Sequence, residues 1–159
     1  MKKELYLILH NIRSAYNVGS IMRTSDGAGV KKIFLTGYTP SPAEEILKSN
    51  KGQRRIGKTA LGAEKTVIWE KIGDISELIE KLKKKKINVI SLECDSRSIN
   101  FKKAEYKFPC ALILGNEVLG IDKNILDESD LIVEIPMRGK KESLNVAVSA
   151  GIAIYEILS

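Results

Sequence analysis

Apolar positions in this chain fall into strand-length runs, and helical repeats separate them. The runs are Leu5 to Leu9 (LYLIL), Lys32 to Thr36 (KIFLT), Asn88 to Leu92 (NVISL), Cys110 to Leu114 (CALIL) and Leu131 to Ile135 (LIVEI), with a shorter one at Thr66 to Trp69. Continuous apolar runs, as opposed to alternating ones, suit strands buried on both faces of a parallel sheet. A helix is expected from about Asn17 to Ala28, with Val18, Ile21, Met22 and Ser25 on one side. Ser20, Arg23, Thr24 and Gly27 fall on the other side, and Gly29 can act as its stop. A second helix, Ile75 to Lys85, carries Ile75, Leu78, Ile79 and Leu82 at helical spacing. Asp74 stands at its start, and Lys83 to Lys86 suit the negative end of its dipole. Ser96 to Phe108 reads as a connector and Ile125 to Asp127 as a turn or short helix. Alternation of strands and helices predicts an α/β protein with a mainly parallel sheet and helices on both faces.

Two stretches break this rhythm. From Gly37 to Thr59 the pattern dissolves around Pro40 and Pro42, with a short helical turn at EEILK. Long irregular stretches in compact domains are usually functional or disordered. This one carries Lys48, Lys51, Arg54, Arg55 and Lys58 with no acid between them, which suits either a solvated loop or a loop that contacts RNA. The other stretch, Ile135 to Leu158, passes from a strand end through Pro136 and a polar loop into a helix expected to open at Ser143, a favoured N-cap residue. That helix is apolar on nearly every side, so it should be buried in the core, in a subunit interface or in both. Ser143 and Asn145 place hydrogen-bonding groups at its mouth, a combination that suggests a binding site.

Hydrophobic content of 43% and charged content of 29% over 159 residues describe one ordinary globular domain, residues 1–159. No run reaches the ~20 apolar residues of a transmembrane helix. The N-terminus enters a strand directly, without a secretion-type cleavage site. Cys94 and Cys110 stand far apart, with a single His elsewhere, His10. They form neither a metal framework nor a disulfide scaffold, and the expected compartment is a reducing cytoplasm. A net charge of +6 favours polyanionic partners without proving one.

In parallel sheets, ligands bind beyond the carboxyl ends of strands, here after Leu9, Leu114 and Ile135. Three segments lie there. The first is Asn17-Val-Gly19-Ser-Ile-Met-Arg23, and the second is Gly115-Asn116-Glu117-Val-Leu-Gly120. The third is Ile135-Pro136-Met137 followed by Ser143-Leu144-Asn145. Singly each is weak; a capping Asn, a turn Gly and a surface Arg are common. As an ordered set they resemble the N-x-G-x-x-x-R, G-x-E-x-x-G and I-P-M…S-L-N motifs of the SpoU/TrmH branch of the SPOUT methyltransferases, over about Leu5 to Leu158. A dinucleotide-binding reading of Asp26-Gly27-Ala28-Gly29 fails, because this G-x-G ends a helix and lacks a third Gly.

The resemblance implies an α/β knot whose C-terminal segment forms a trefoil knot. It also implies S-adenosylmethionine-dependent methylation of a ribose 2′-hydroxyl of tRNA or rRNA by a homodimer, with no metal and no membrane. By motif position, Asn17, Arg23, Glu117, Ser143 and Asn145 are the polar active-site residues. Gly115, Ile135, Met137, Leu144 and Asn145 hold the cofactor. The chain is expected to lack the N-terminal RNA-binding extension of many relatives, which leaves substrate selection to the Lys48 to Lys58 loop or to a partner. The alternative is a catalytically silent RNA-binding relative. His10 is expected to be structural.

Overall fold

The computed structural model describes residues 3–48 and 54–159, the Lys48 side chain apart. β1 (Leu5–His10) leads through α1 (Ala15–Ala28) to β2 (Lys32–Thr36). Three short helices follow, α2 (Pro42–Lys48), α3 (Arg55–Ala60) and α4 (Ala63–Thr66). Then come β3 (Trp69–Ile72), α5 (Ile75–Lys84), β4 (Asn88–Leu92), β5 (Ile99–Asn100) and β6 (Cys110–Leu114). α6 (Lys123–Glu128), β7 (Leu131–Glu134) and α7 (Val146–Leu158) complete the chain. The sheet order is β3-β2-β1-β6-β4-β7-β5, and every pairing is parallel.

The apolar runs supply both faces of this sheet because side chains alternate along a strand. Leu5, Leu7 and Leu9 of β1 and Leu112 and Leu114 of β6 enter the core shared with α1, α3 and α7. Ile8 of β1 and Ala111 and Ile113 of β6 enter the opposite core, filled by Leu78 and Leu82 of α5 and Ile125 of α6. The α1 side expected to be apolar is the buried one: Val18, Ile21, Met22 and Ser25 are inaccessible.

β4 and β5 follow each other in sequence, yet β7 lies between them in the sheet. The connection at residues 93–98 therefore passes β7, and the chain leaving Glu134 runs by that crossing to reach α7, packed with α1. A trefoil knot requires a crossing of this kind.

Several expected boundaries shift for identifiable reasons. α1 begins at Ala15, because Ser14 caps it and accepts the Asn17 N–H at 3.3 Å; Asn17 lies inside the first turn. α7 begins at Val146 and not at Ser143, since Asn145 is the cap and accepts the N–H groups of Ala147 (2.9 Å) and Val148 (3.3 Å). The helix is also less enclosed than its composition suggests, with Val148, Ile152 and Tyr155 exposed along one stripe. The stretch expected to be irregular holds α2 and α3; Ile56 and Ala60, four residues apart, bury against α1. Gly19 permits that approach, as a Cβ there would lie 2.2 Å from the Ile56 carbonyl oxygen. Thr66 ends α4, its hydroxyl donating to Asp26 at 2.8 Å, so the strand expected at Thr66 to Trp69 starts only at Trp69. The Ser96 to Phe108 connector contains the short edge strand β5.

Candidate active site

The site is built at the carboxyl ends of β4, β6 and β7. After β6 the chain closes a tight turn in which Asn116 and Gly120 exchange backbone hydrogen bonds of 3.2 and 3.0 Å. The Asn116 carboxamide oxygen accepts from Val118 (2.9 Å) and Leu119 (2.8 Å). Its amide donates to the Asn11 carbonyl and the Tyr38 hydroxyl, both at 2.9 Å, tying the turn to the loops after β1 and β2. Both motif glycines are forced. A Cβ at Gly115 would sit 2.6 Å from Ile121 and 2.7 Å from the Gly120 backbone. Gly120 has φ of 70°, and a Cβ there would lie 2.4 Å from the Glu93 carboxylate. Glu93 in turn accepts from Cys94 (2.9 Å) and Ile121 (3.0 Å), fastening the turn to the end of β4.

Glu117 leaves this turn toward the N-terminus of α1. Its carboxylate accepts the Arg13 N–H at 2.9 Å, the Ser14 N–H at 3.0 Å and the Asn17 amide at 3.1 Å. An anion is favoured at a helix N-terminus by the unpaired N–H groups and the dipole. Burial pushes the Glu117 carboxyl up, but these donors outweigh it and hold the group below its ordinary range. Asn17 passes the connection on: its oxygen accepts from the Asn145 amide at 3.2 Å, while the Asn145 oxygen caps α7. Glu117, Asn17 and Asn145, each from a different motif, thus form one hydrogen-bonded chain.

Beside it lies a cavity of about 180 Å³. Leu114, Ile135, Leu144 and Val146 give it an apolar wall, and Glu93, Glu117, Glu134 and Glu142 bring carboxylates; among the described residues, no Lys or Arg lines it. Of the residues expected to hold a cofactor, Gly115, Ile135, Met137 and Leu144 line this cavity, as does Ser143. Asn145 stands off it as the helix cap. Cys94 lines it too, with its thiol pushed up by Glu134, by burial and by the charges of Glu93 and Asp95.

Arg23 is not brought to this cluster. Six residues beyond Asn17, it is displaced by about 9 Å along α1 and turned to another face. It lines a separate depression with Asp26, Leu61 and Thr66. Arg54, Arg55 and Lys58 are exposed on and beside α3; Lys51 and the Lys48 side chain lie outside the described residues. His10 is buried at the end of β1, with Nδ1 2.9 Å from the Thr36 hydroxyl and Nε2 3.3 Å from the Asn11 amide. Burial lowers its pKa, with Asp122 opposing, and both ring nitrogens are taken up by neighbouring side chains. Among the described residues, no group of His, Cys, Asp or Glu could hold a metal.

Residues 4–155 match the model of the SpoU rRNA Methylase family. The chain belongs to that family. Similar members include the tRNA (guanosine(18)-2′-O)-methyltransferase of Aquifex aeolicus, 29% identical over 98% of this chain and 69% of that protein. Another is the 23S rRNA (guanosine-2′-O-)-methyltransferase RlmB of Ralstonia nicotianae, 28% identical over 96% of this chain. This chain spans only 57% of that relative's length. The AdoMet-bound rRNA methyltransferase of Sinorhizobium meliloti superposes with a TM-score of 0.86 at 25% identity, covering 99% of this chain and 56% of that one.

Within the SpoU fold, several contributors to the cavity lie outside the residues expected from the motifs, among them the carboxylates of Glu93 and Glu134. Glu93 follows β4 and Glu134 ends β7, but nothing in the sequence places β4 beside both β6 and β7. The apolar run ending at Leu92 was the available signal, since ligands gather beyond strand ends.

Proposed function

We propose that this SpoU-family chain transfers the methyl group of S-adenosylmethionine to a ribose 2′-hydroxyl of tRNA or rRNA. It works as a cytoplasmic homodimer through a single methyltransferase domain over residues 1–159. The observation that carries this reading is the Glu117–Asn17–Asn145 chain, which joins three sequence motifs beside one cavity. The relatives from Aquifex aeolicus and Ralstonia nicotianae are named as guanosine 2′-O-methyltransferases, and the Sinorhizobium meliloti neighbour binds AdoMet.

The cavity residues fit the cofactor. Ile135 and Leu144 offer an apolar wall to a purine, the facing carboxylates complement cationic groups, and Gly115 leaves backbone accessible. When bound, S-adenosylmethionine supplies an already activated methyl group, so the chain's own residues have only to align the hydroxyl and ease its proton loss. Glu117, occupied by three N–H donors, positions Asn17 and takes no proton itself. Guanidinium groups stay protonated in proteins, so Arg23 acts by clamping an RNA phosphate and stabilising negative charge on the 2′-oxygen. An RNA phosphate oxygen then accepts the proton. Because Arg23 lies away from the cavity of its own chain, it serves the cavity of the partner subunit. The exposed Val148, Ile152 and Tyr155 stripe of α7 supplies an apolar face for that pairing. The crossing of residues 93–98 past β7 supports reading the C-terminal path as the trefoil knot.

Calorimetry with S-adenosylmethionine and mass spectrometry of nuclease-digested RNA test the reading. Binding, 2′-O-methyl nucleosides, and an Arg23→Ala variant that binds cofactor but does not turn over are expected. RNA binding without a cofactor isotherm would instead identify a catalytically silent RNA-binding relative.

A further inference from the structure

The loop that closes the cavity carries cations that the reaction described above does not use. Residues 135–144 bring Met137, Glu142, Ser143 and Leu144 to the cavity, and between them run Arg138-Gly139-Lys140-Lys141. All three cations are exposed, and none makes an ion pair or side-chain hydrogen bond among the described residues. Ion pairs occupy Lys31, Lys32, Lys71, Lys83, Lys84 and Arg97, so the loop cations belong, with Arg54, Arg55 and Lys58, to those left open to an external anion among the described residues. Arg13, also exposed, stands at the same site, its N–H held by Glu117.

Charge is thus sorted by position: half-buried Glu93, Glu117 and Glu134 line the cavity with exposed Glu142 at its rim, and free cations occupy the loop outside it. A carboxylate-lined cavity repels a phosphodiester and attracts a cationic ligand, whereas a run of exposed Lys and Arg does the reverse. We infer that Arg138, Lys140 and Lys141 grip the RNA backbone next to the ribose being methylated. This holds the polyanion at the mouth while the sulfonium-bearing cofactor occupies the interior. The inference rests on the methyltransferase reading for the identity of the anion. It moves the expected RNA contact from the Lys48 to Lys58 stretch to the loop before α7. Position favours the latter, since Arg138, Lys140 and Lys141 lie between the cavity residues Met137 and Glu142, whereas Arg54, Arg55 and Lys58 sit on or beside α3.

The test compares two triple variants, Arg138→Gln/Lys140→Gln/Lys141→Gln and Arg54→Gln/Arg55→Gln/Lys58→Gln, in the full chain. Anisotropy of a labelled oligouridylate is followed between about 50 and 200 mM salt, with S-adenosylmethionine calorimetry alongside. Each phosphate contact on single-stranded RNA contributes about 0.7 to the slope of log affinity against log salt, so the loop variant should lose about two units of slope. Its cofactor isotherm should be unchanged. An unaltered slope in the loop variant overturns the grip, as does a loss of slope confined to the α3 variant. A cofactor isotherm absent from the unsubstituted protein would sink the methyltransferase reading alone, because the grip is judged by the salt slope.

Discussion

Two loops line the same cavity and are built on opposite plans. The turn from Gly115 to Gly120 is held from every side: by its own backbone pair, by the four bonds of Asn116, by Glu93 and by the three bonds of Glu117. Among the described residues, no hydrogen bond ties residues 136–144 to anything, and that loop is anchored only where β7 ends and Asn145 caps α7. One loop fixes geometry; the other leaves its backbone groups and cations for ligands. Catalysis by alignment needs the first, and recognition of two ligands of opposite charge suits the second.

The comparison breaks most severely at Glu117. Glu117→Ala should lower turnover by about 100-fold, the scale of a small misplacement of reacting groups. Removal of its charge-assisted bonds should cost about 2 kcal/mol of stability. The measurements are single-turnover methylation and urea unfolding. Full activity in this variant would show that the Asn17 position does not depend on the network.

A sharper contrast of intermediate size uses one substitution in both loops. Gly115→Ala meets Ile121 and the Gly120 backbone and should cost about 1–3 kcal/mol, with weakened cofactor binding. At Gly139 a Cβ meets nothing within 4 Å, so Gly139→Ala should stay within about 0.5 kcal/mol of the parent. Equal melting temperatures for the two variants would contradict the difference in packing.

The smallest effect is in pH. Because the Glu117 carboxyl is held below its ordinary value of 4.5, its bonds stabilise the fold above that value and are lost as pH falls through the lowered one. Glu117→Gln should therefore flatten the acid limb of the stability profile, followed by thermal unfolding in steps below about pH 5. A limb as steep as the parent's would place the sensitivity on other carboxylates.

Much of this was legible in the residues. Runs such as CALIL and LYLIL leave no polar face to expose, so strand and burial follow from the pattern alone; β2, β4 and β6 have the bounds expected of them. Caps were less legible, because S-L-N offers two good capping residues. Burial of Val146 and the bond to Asn17, both tertiary, select Asn145. α3 was hidden because only Ile56 and Ala60 mark its apolar side, and its groove exists only once Gly19 of α1 is in place. Glu93 was marked only by following the apolar run that ends at Leu92; its importance comes from lying under Gly120, a residue 27 positions later.

The sequence by itself determined the class of fold and the three motif segments, because hydrophobic period and local spacing are properties of the chain read in one dimension; the family followed from the resemblance of those segments to known motifs. Tertiary structure alone decided which residues meet. It linked Asn17 to Glu117 across 100 residues and to Asn145 across 128, kept Arg23 off its own chain's cavity, and put carboxylates along the cavity with free cations on the loop outside it. The physical reason is that hydrogen bonds reach about 3 Å and screened charges about 10 Å. Their partners are therefore chosen by the order in which strands assemble into the sheet and not by neighbours in sequence.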